Sequence, residues 1–217
     1  NTILLHTRRQ GMMDILTSQV YQQEKSSEVM LSILNFAVEY RNGEGGGHMS
    51  GVEYLTGLLL RRLMAVTAQY SLTPEDVNLI CTASGLHDIG KLLVPEDILQ
   101  KPGKLTDEEF AIIKTHTKLG AQILSELPMH RNEKLVKYAI EIWHHERWNG
   151  EGYPDGLAGD HIPIAAQVVS LADAYDALTS KRSYKQAFSH EKAVEMIHNG
   201  ECGSYNPLLL RCLDDVS

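Results

Sequence analysis

Two short stretches of this chain concentrate side chains that bind metals. One is Leu86-His87-Asp88-Ile89-Gly90-Lys91; the other is His144-His145-Glu146-Arg147-Trp148-Asn149-Gly150-Glu151-Gly152-Tyr153-Pro154. His48 lies upstream of both, His116 between them and Asp173 downstream. Neutral imidazoles and carboxylates are the ligands of Zn, Mn, Fe and Ni sites, and a carboxylate shared by two ions sets up hydrolysis of a phosphate ester. A single His-Asp pair carries little information; the ordered set carries much more. Two consecutive imidazoles after the apolar residues Leu135, Ala139, Ile140, Ile142 and Trp143, and before a Gly-rich loop, are hard to explain as packing. Asp173 sits in the small, apolar stretch Ser170-Leu171-Ala172-Asp173-Ala174, where a buried carboxylate needs a cation or donors. Lys91 follows His87 by four residues and Asp88 by three, which places it on their face of a helix.

Helices must position these groups, because strand-type alternation is nearly absent and the fold class reads as all-α. Residues 12–41 carry Ile15, Leu16, Val20, Val29, Met30, Ile33, Leu34, Ala37 and Val38 at helical spacing around a polar centre, Tyr21 to Glu28. That pattern predicts an N-terminal linker or dimerisation helix over 1–40, leaving 41–217 as the catalytic domain. Gly43-Glu44-Gly45-Gly46-Gly47-His48 interrupts it, each glycine costing about 1 kcal/mol in a helix interior. A second helix is predicted over 49–70, with Val52, Leu55, Leu58, Leu59, Leu63 and Val66 inward. Thr73-Pro74-Glu75-Asp76 starts a helix expected to reach His87-Asp88, and the capping box Thr106-Asp107-Glu108-Glu109 opens one expected to bear His116. Further helices are expected at 131–147, 163–179 and 189–198, with Trp148 to Pro163 an ordered loop.

Composition narrows the chemistry. The 217 residues are 43% hydrophobic, enough to bury a core, and the net charge is −8. No Lys/Arg run is long enough to track a nucleic-acid polymer, so an anionic substrate needs a local field from metals and a few bases. Cys81, Cys202 and Cys212 have no C-x-x-C spacing, so neither a thiolate zinc site nor a disulfide framework is indicated. Ten histidines against three cysteines point to imidazole ligation in a reducing compartment. No apolar run reaches the ~18 residues of a membrane span. The expected location is cytoplasmic.

From His87 to Gln186 the sequence resembles the HD-GYP family, the metal-dependent cyclic dinucleotide phosphodiesterases of the HD superfamily. His87-Asp88-Ile89-Gly90-Lys91 resembles the first motif, and His144 to Pro154 the hallmark motif. Asp173-Ala174-Tyr175-Asp176-Ala177-Leu178-Thr179-Ser180, followed by Arg182, Tyr184 and Lys185, resembles the third conserved stretch. Lys101 to Thr106 and Ile162-Pro163 match connecting segments, and the match extends at least over residues 40–210.

The resemblance implies an HD-superfamily helical bundle and a phosphodiesterase that hydrolyses cyclic di-GMP to linear pGpG, with GMP as a further product. A catalytically weak binding module and a generic HD-type nucleotide phosphohydrolase are the alternatives. It implies one metal held by His48, His87, Asp88 and Asp173 and a second by Asp88, His116, His144 and His145. Asp88 would bridge them and position the attacking water or hydroxide, while Lys91 binds the scissile phosphate. Tyr153, Arg182 and Lys185 would hold the rest of the dinucleotide, and Glu44, four residues before His48, would add a third metal. Iron or manganese are the expected ions; nickel and zinc suit the same ligands. The chain departs from the family at Gly51, where arginine is usual, and in the run Gly45-Gly46-Gly47; both bear on Glu44 and His48. Expected partners are an upstream sensory or receiver domain and a second copy of the chain, paired through Ile15, Leu16, Val29, Ile33 and Ala37.

Overall fold

Leucine spacing builds the central helix of the domain, α1 (His48–Val66), in which Val52, Leu55, Leu59, Leu60 and Leu63 are buried. The computed structural model describes residues 17–19, 21–22, 25–26, 29–30, 32–43, 47–126, 137, 139–180 and 186–216. The chain divides into two units, Asn1–Ala37 and Val38–Ser217. In the first, the described residues are helical, and Val29, Met30, Ile33 and Phe36 expose apolar side chains. In the second, helices follow one another: α2 (Pro74–Ser84), α3 (Glu96–Leu99), α4 (Asp107–Lys114), α5 (His116–Glu126), α6 (Ile164–Thr179), α7 (His190–His198) and α8 (Pro207–Val216). Residues 139–143 are also helical, and 3-10 turns cover Ile89–Leu93 and Gly159–His161. Among the described residues there is no strand, only an isolated bridge between Asn149 and Ala158. The architecture is all-α.

α1 packs against α2, α6 and α8, and α6 packs on α7. Val77 and Ile80 of α2, Val168, Val169 and Leu171 of α6, and Leu209 and Leu213 of α8 close the core around it. Each fully buried leucine of α1 contributes about 1.5–3 kcal/mol relative to exposure. The two start signals read from the sequence form as capping boxes. The Thr73 hydroxyl accepts from the Asp76 amide and the Asp76 carboxylate from the Thr73 amide; Thr106 and Glu109 pair in the same way.

Several boundaries differ from the periodicity. α1 ends at Val66 instead of continuing to 70, because the Thr67 hydroxyl accepts from the Gln69 amide and the chain turns. α2 stops at Ser84, short of His87-Asp88: the Ser84 hydroxyl donates to the Cys81 carbonyl (2.7 Å) and the His87 ring to that of Ser84 (2.7 Å). These side chains take over carbonyls that a continuing helix would use. The helix begun at Thr106 likewise ends at Lys114, and His116 opens a new one; the Thr115 hydroxyl and the His116 ring claim the carbonyls of Ile112 and Ile113. The helix expected over 131–147 ends at Trp143, so His144 and His145 lie on a turn, while residues 131–136 fall outside those described. α8 is missing from the sequence reading although Asn206-Pro207 is a start signal; Asn206 Oδ1 accepts from the Leu208 amide.

Candidate metal centre

The ligand-bearing segments converge because each ends, or begins, at the same place. His87 and Asp88 sit on the turn leaving α2, with Asp88 heading the 3-10 turn. His116 starts α5, which packs on that turn. Gly90 permits the approach: a Cβ there would overlap the carbonyl of His116. His48 opens α1, where the buried Glu39 carboxylate accepts from the amides of Gly47 (3.3 Å) and Met49 (2.7 Å) in place of an N-cap side chain. Asp173 projects from α6.

Ring orientation follows from acceptors at the back of each imidazole. His87 Nδ1 bonds the Ser84 carbonyl at 2.7 Å, His116 Nδ1 that of Ile113 at 2.7 Å, and His144 Nδ1 that of Ile140 at 2.9 Å. His48 Nδ1 lies 2.5 Å from Asp176 Oδ2. Carbonyls and carboxylates only accept, so each Nδ1 carries the proton and each Nε2 presents a lone pair inward.

Those lone pairs meet oxygens and each other. His116 Nε2 is 3.4 Å from His144 Nε2 and 3.4 Å from Asp88 Oδ1, and His87 Nε2 is 3.5 Å from Asp88 Oδ2. Buried His87 Nε2 and Asp88 Oδ1 have no hydrogen-bond partner. Protonating a second ring nitrogen would relieve the repulsion, but the surroundings oppose it. Burial, then the neighbouring His87 and His116, brings His144 down to about 3. Burial also lowers His116, and burial with His144 and His116 holds His145 well below the ordinary range. A cation other than a proton fits this donor set.

Ligand atoms fall into two groups sharing Asp88, each with its members within 4.8 Å of one another: Asp88, His116, His144 and His145, and His48, His87 and Asp88. Asp173 flanks the second group, its Oδ1 3.3 Å from His48 Nε2 and 3.8 Å from His87 Nε2. Burial works to raise the Asp88 carboxyl, but Lys91 and then His87, His116 and His144 outweigh it and keep it well below the carboxylate range. Asp173 is depressed in the same way against burial, by the adjacent His48 and then His87. Lys91 Nζ lies 2.6 Å from Asp88 Oδ2.

The Gly-Tyr-Pro loop forms one wall. Tyr153 stacks on His145 with ring centroids 4.7 Å apart, and burial raises its hydroxyl pKa. Glu146, buried, accepts from the amides of Asp155 (2.8 Å), Gly156 (3.1 Å) and Leu157 (3.0 Å), and so folds the loop. Arg147 donates to Ser170 Oγ at 2.6 Å and ties the loop to α6.

Seven of the expected site residues, His48, His87, Asp88, His116, His144, His145 and Asp173, therefore converge on one place, with Lys91 and Tyr153 adjoining. Glu44, Arg182 and Lys185 lie outside the described residues. Sequence reasoning assigned nothing to Glu39, Glu146 or Asp176, which orient the others, nor to Glu141. The Glu141 carboxyl is buried beside the Gly90 backbone, and burial followed by the Asp88 charge raises it well above the usual range. Glu146 left a signal as a carboxylate directly after the paired histidines, and Asp176 as part of the stretch that begins at Asp173.

A family model described as "HD domain" matches residues 14–208. A Vibrio cholerae protein named "Cyclic di-GMP phosphodiesterase" is 38% identical over 205 residues, covering 92% of this chain and 41% of the relative. Another Vibrio cholerae protein, named "3'3'-cGAMP-specific phosphodiesterase 2", is 38% identical over 193 residues, covering 88% of this chain and 35% of the relative. The chain thus spans less than half the length of either relative. Among solved structures, the HDG"Y"P protein Bd1817 from Bdellovibrio bacteriovorus superposes with a TM-score of 0.59 at 23% identity. That alignment covers 78% of this chain and 51% of the other, and carries the fold.

Proposed function

Given that the chain belongs to the HD domain family, in its HD-GYP branch, we propose that it is a metal-dependent phosphodiesterase hydrolysing cyclic di-GMP to linear pGpG and onward to GMP. The observation that carries this reading is Asp88, a buried carboxylate shared by two groups of inward-facing imidazole lone pairs. His48, His87, Asp88 and Asp173 would hold one divalent ion and Asp88, His116, His144 and His145 a second. Glu44 is proposed for a third. Iron or manganese suits this mixed donor set, as do nickel and zinc.

A bound metal pair supplies Lewis-acid polarisation of the phosphate and a water acidic enough to attack at neutral pH. The chain's own residues do the rest. Burial keeps His116, His144 and His145 neutral, so their lone pairs need no deprotonation before ligation. Lys91, now 2.6 Å from Asp88, is the cation closest to the shared carboxylate and would neutralise a phosphate oxygen. Tyr153 offers its ring beside His145 for a nucleobase or ribose. Arg182 and Lys185 are proposed as anchors for the second phosphate and base.

The reading extends to a cytoplasmic setting, an upstream sensory or receiver domain, and a homodimer through the helix of 1–40. Val29, Ile33 and Ala37 of that helix are exposed in the first unit, which supports the pairing face. Light scattering of the chain with and without residues 1–28 tests it.

Chromatography of the products from cyclic di-GMP, with 3',3'-cGAMP in parallel and elemental analysis of the same preparation, tests the activity. Linear pGpG formed by metal-loaded protein, and lost on chelation, is the expected result. Binding without turnover would make the chain a signalling module, and turnover of mononucleotides alone would make it a general phosphohydrolase.

A further inference from the structure

Helix α6 reaches His48 at both ring nitrogens. Asp173 Oδ1 lies 3.3 Å from Nε2, and Asp176 Oδ2, one turn later, lies 2.5 Å from Nδ1. Asp176 is 8% exposed and His48 5%, so the contact is made out of water, and Ser180 Oγ donates to the same Asp176 oxygen at 3.0 Å. The carboxylate packs against the bare backbone of residue 51: with the side chain as it stands, a Cβ on Gly51 would overlap Asp176 Oδ1. Gly51 is three residues after His48 on α1, on the side that packs against α6.

Resting on the metal-centre reading, we infer that Asp176 is a positioning residue, accepting from His48 Nδ1 so that Nε2 is presented to the first metal position, and that Gly51 is the residue that admits it. The physical basis is the carboxylate–imidazole–metal arrangement, in which the outer carboxylate selects the tautomer, holds the ring plane and raises ligand basicity. His87, His116 and His144 are oriented by backbone carbonyls; among these four ligands only His48 is oriented by a side chain. A substitution at Asp176 therefore acts on the first metal position through His48.

The experiment titrates Mn²⁺ into the metal-stripped full chain by calorimetry and counts bound metal after desalting. The wild type, Asp176→Ala, Asp176→Asn, Gly51→Ala and the double variant Gly51→Ala/Asp176→Ala are compared. Asp176→Ala and Gly51→Ala are each expected to weaken one binding step by about 10–100-fold, leaving the other unchanged. Asp176→Asn regains part of the loss, since its amide oxygen still accepts from Nδ1. The double variant binds no worse than Asp176→Ala, because Gly51 acts only through Asp176. Wild-type affinity and stoichiometry in the single variants, or losses that add in the double, would overturn the inference while leaving the metal centre standing. Equal weakening of both steps, with a lower melting temperature of the metal-free protein, would make Asp176 merely structural. A wild type that takes up no metal would overturn the metal-centre reading and this inference together.

Discussion

Replacing Asp88 by asparagine separates a role in metal binding from a role in stability, because the two respond in opposite ways. In the metal-free protein Asp88→Asn loses the charge-assisted bond to Lys91, about 1.5–3 kcal/mol in general. The Lys91 side chain is 19% exposed, which places the loss at the low end of that range through solvent screening. Against this, the new amide can donate toward His116 Nε2, 3.4 Å from Asp88 Oδ1. That bond contributes about 0.5–1.5 kcal/mol, and it also ends the isolation of a buried oxygen. The terms nearly cancel, so the metal-free melting temperature should move by less than ~5 °C. The metal response should vanish instead. Free Mn²⁺ at one hundred times Kd stabilises the wild type by about 2.7 kcal/mol per site. For a chain of this size that is roughly 5–11 °C. Scanning calorimetry with and without Mn²⁺ reads both quantities. A variant that keeps the wild-type rise would refute the shared-ligand reasoning. One whose metal-free form melts more than ~10 °C lower would show that Asp88 is there for stability.

Below about pH 6.5 the metal-free domain should lose stability steadily toward pH 3, because His144, His116 and His145 are held neutral when folded and take protons only on unfolding. The sign is that of depressed pKa values, with stability present above the unfolded value and lost as pH falls; urea midpoints at several pH values check it, and a flat profile across that window would contradict it. Glu146→Ala removes the acceptor of three loop amides and should cost about 2–4 kcal/mol. It should also raise KM for cyclic di-GMP while bound metal is retained, as steady-state kinetics with elemental analysis would show. Lys91→Ala should lower kcat by roughly 100-fold with little loss of metal. Arg182→Ala should weaken cyclic di-GMP affinity at full metal content; metal loss with unchanged affinity would reverse that assignment.

The sequence by itself pointed to the candidate ligands, and it determined the all-α class and the helix starts whose signals are local. Thr73 and Thr106 cap their own helices within three residues, and the leucines of α1 recur at the helical period. Such features depend on neighbours along the chain, and so they are legible. The helix ends at Ser84, Lys114 and Trp143 were not, because side chains there compete for backbone carbonyls and the outcome depends on what packs against the turn. The orienting groups were decided only by tertiary structure. Asp176 meets His48 across 128 residues, and its place depends on the missing side chain of Gly51. Glu39 caps a helix that begins nine residues later, and Glu141 is an ordinary helical glutamate until burial beside Asp88 raises its carboxyl above the usual range. The proposed metal ligands announce themselves by chemical type. The residues that aim them are common carboxylates, and only the packing of α1 against α6, and of α5 against the 3-10 turn, distinguishes them from solvated ones.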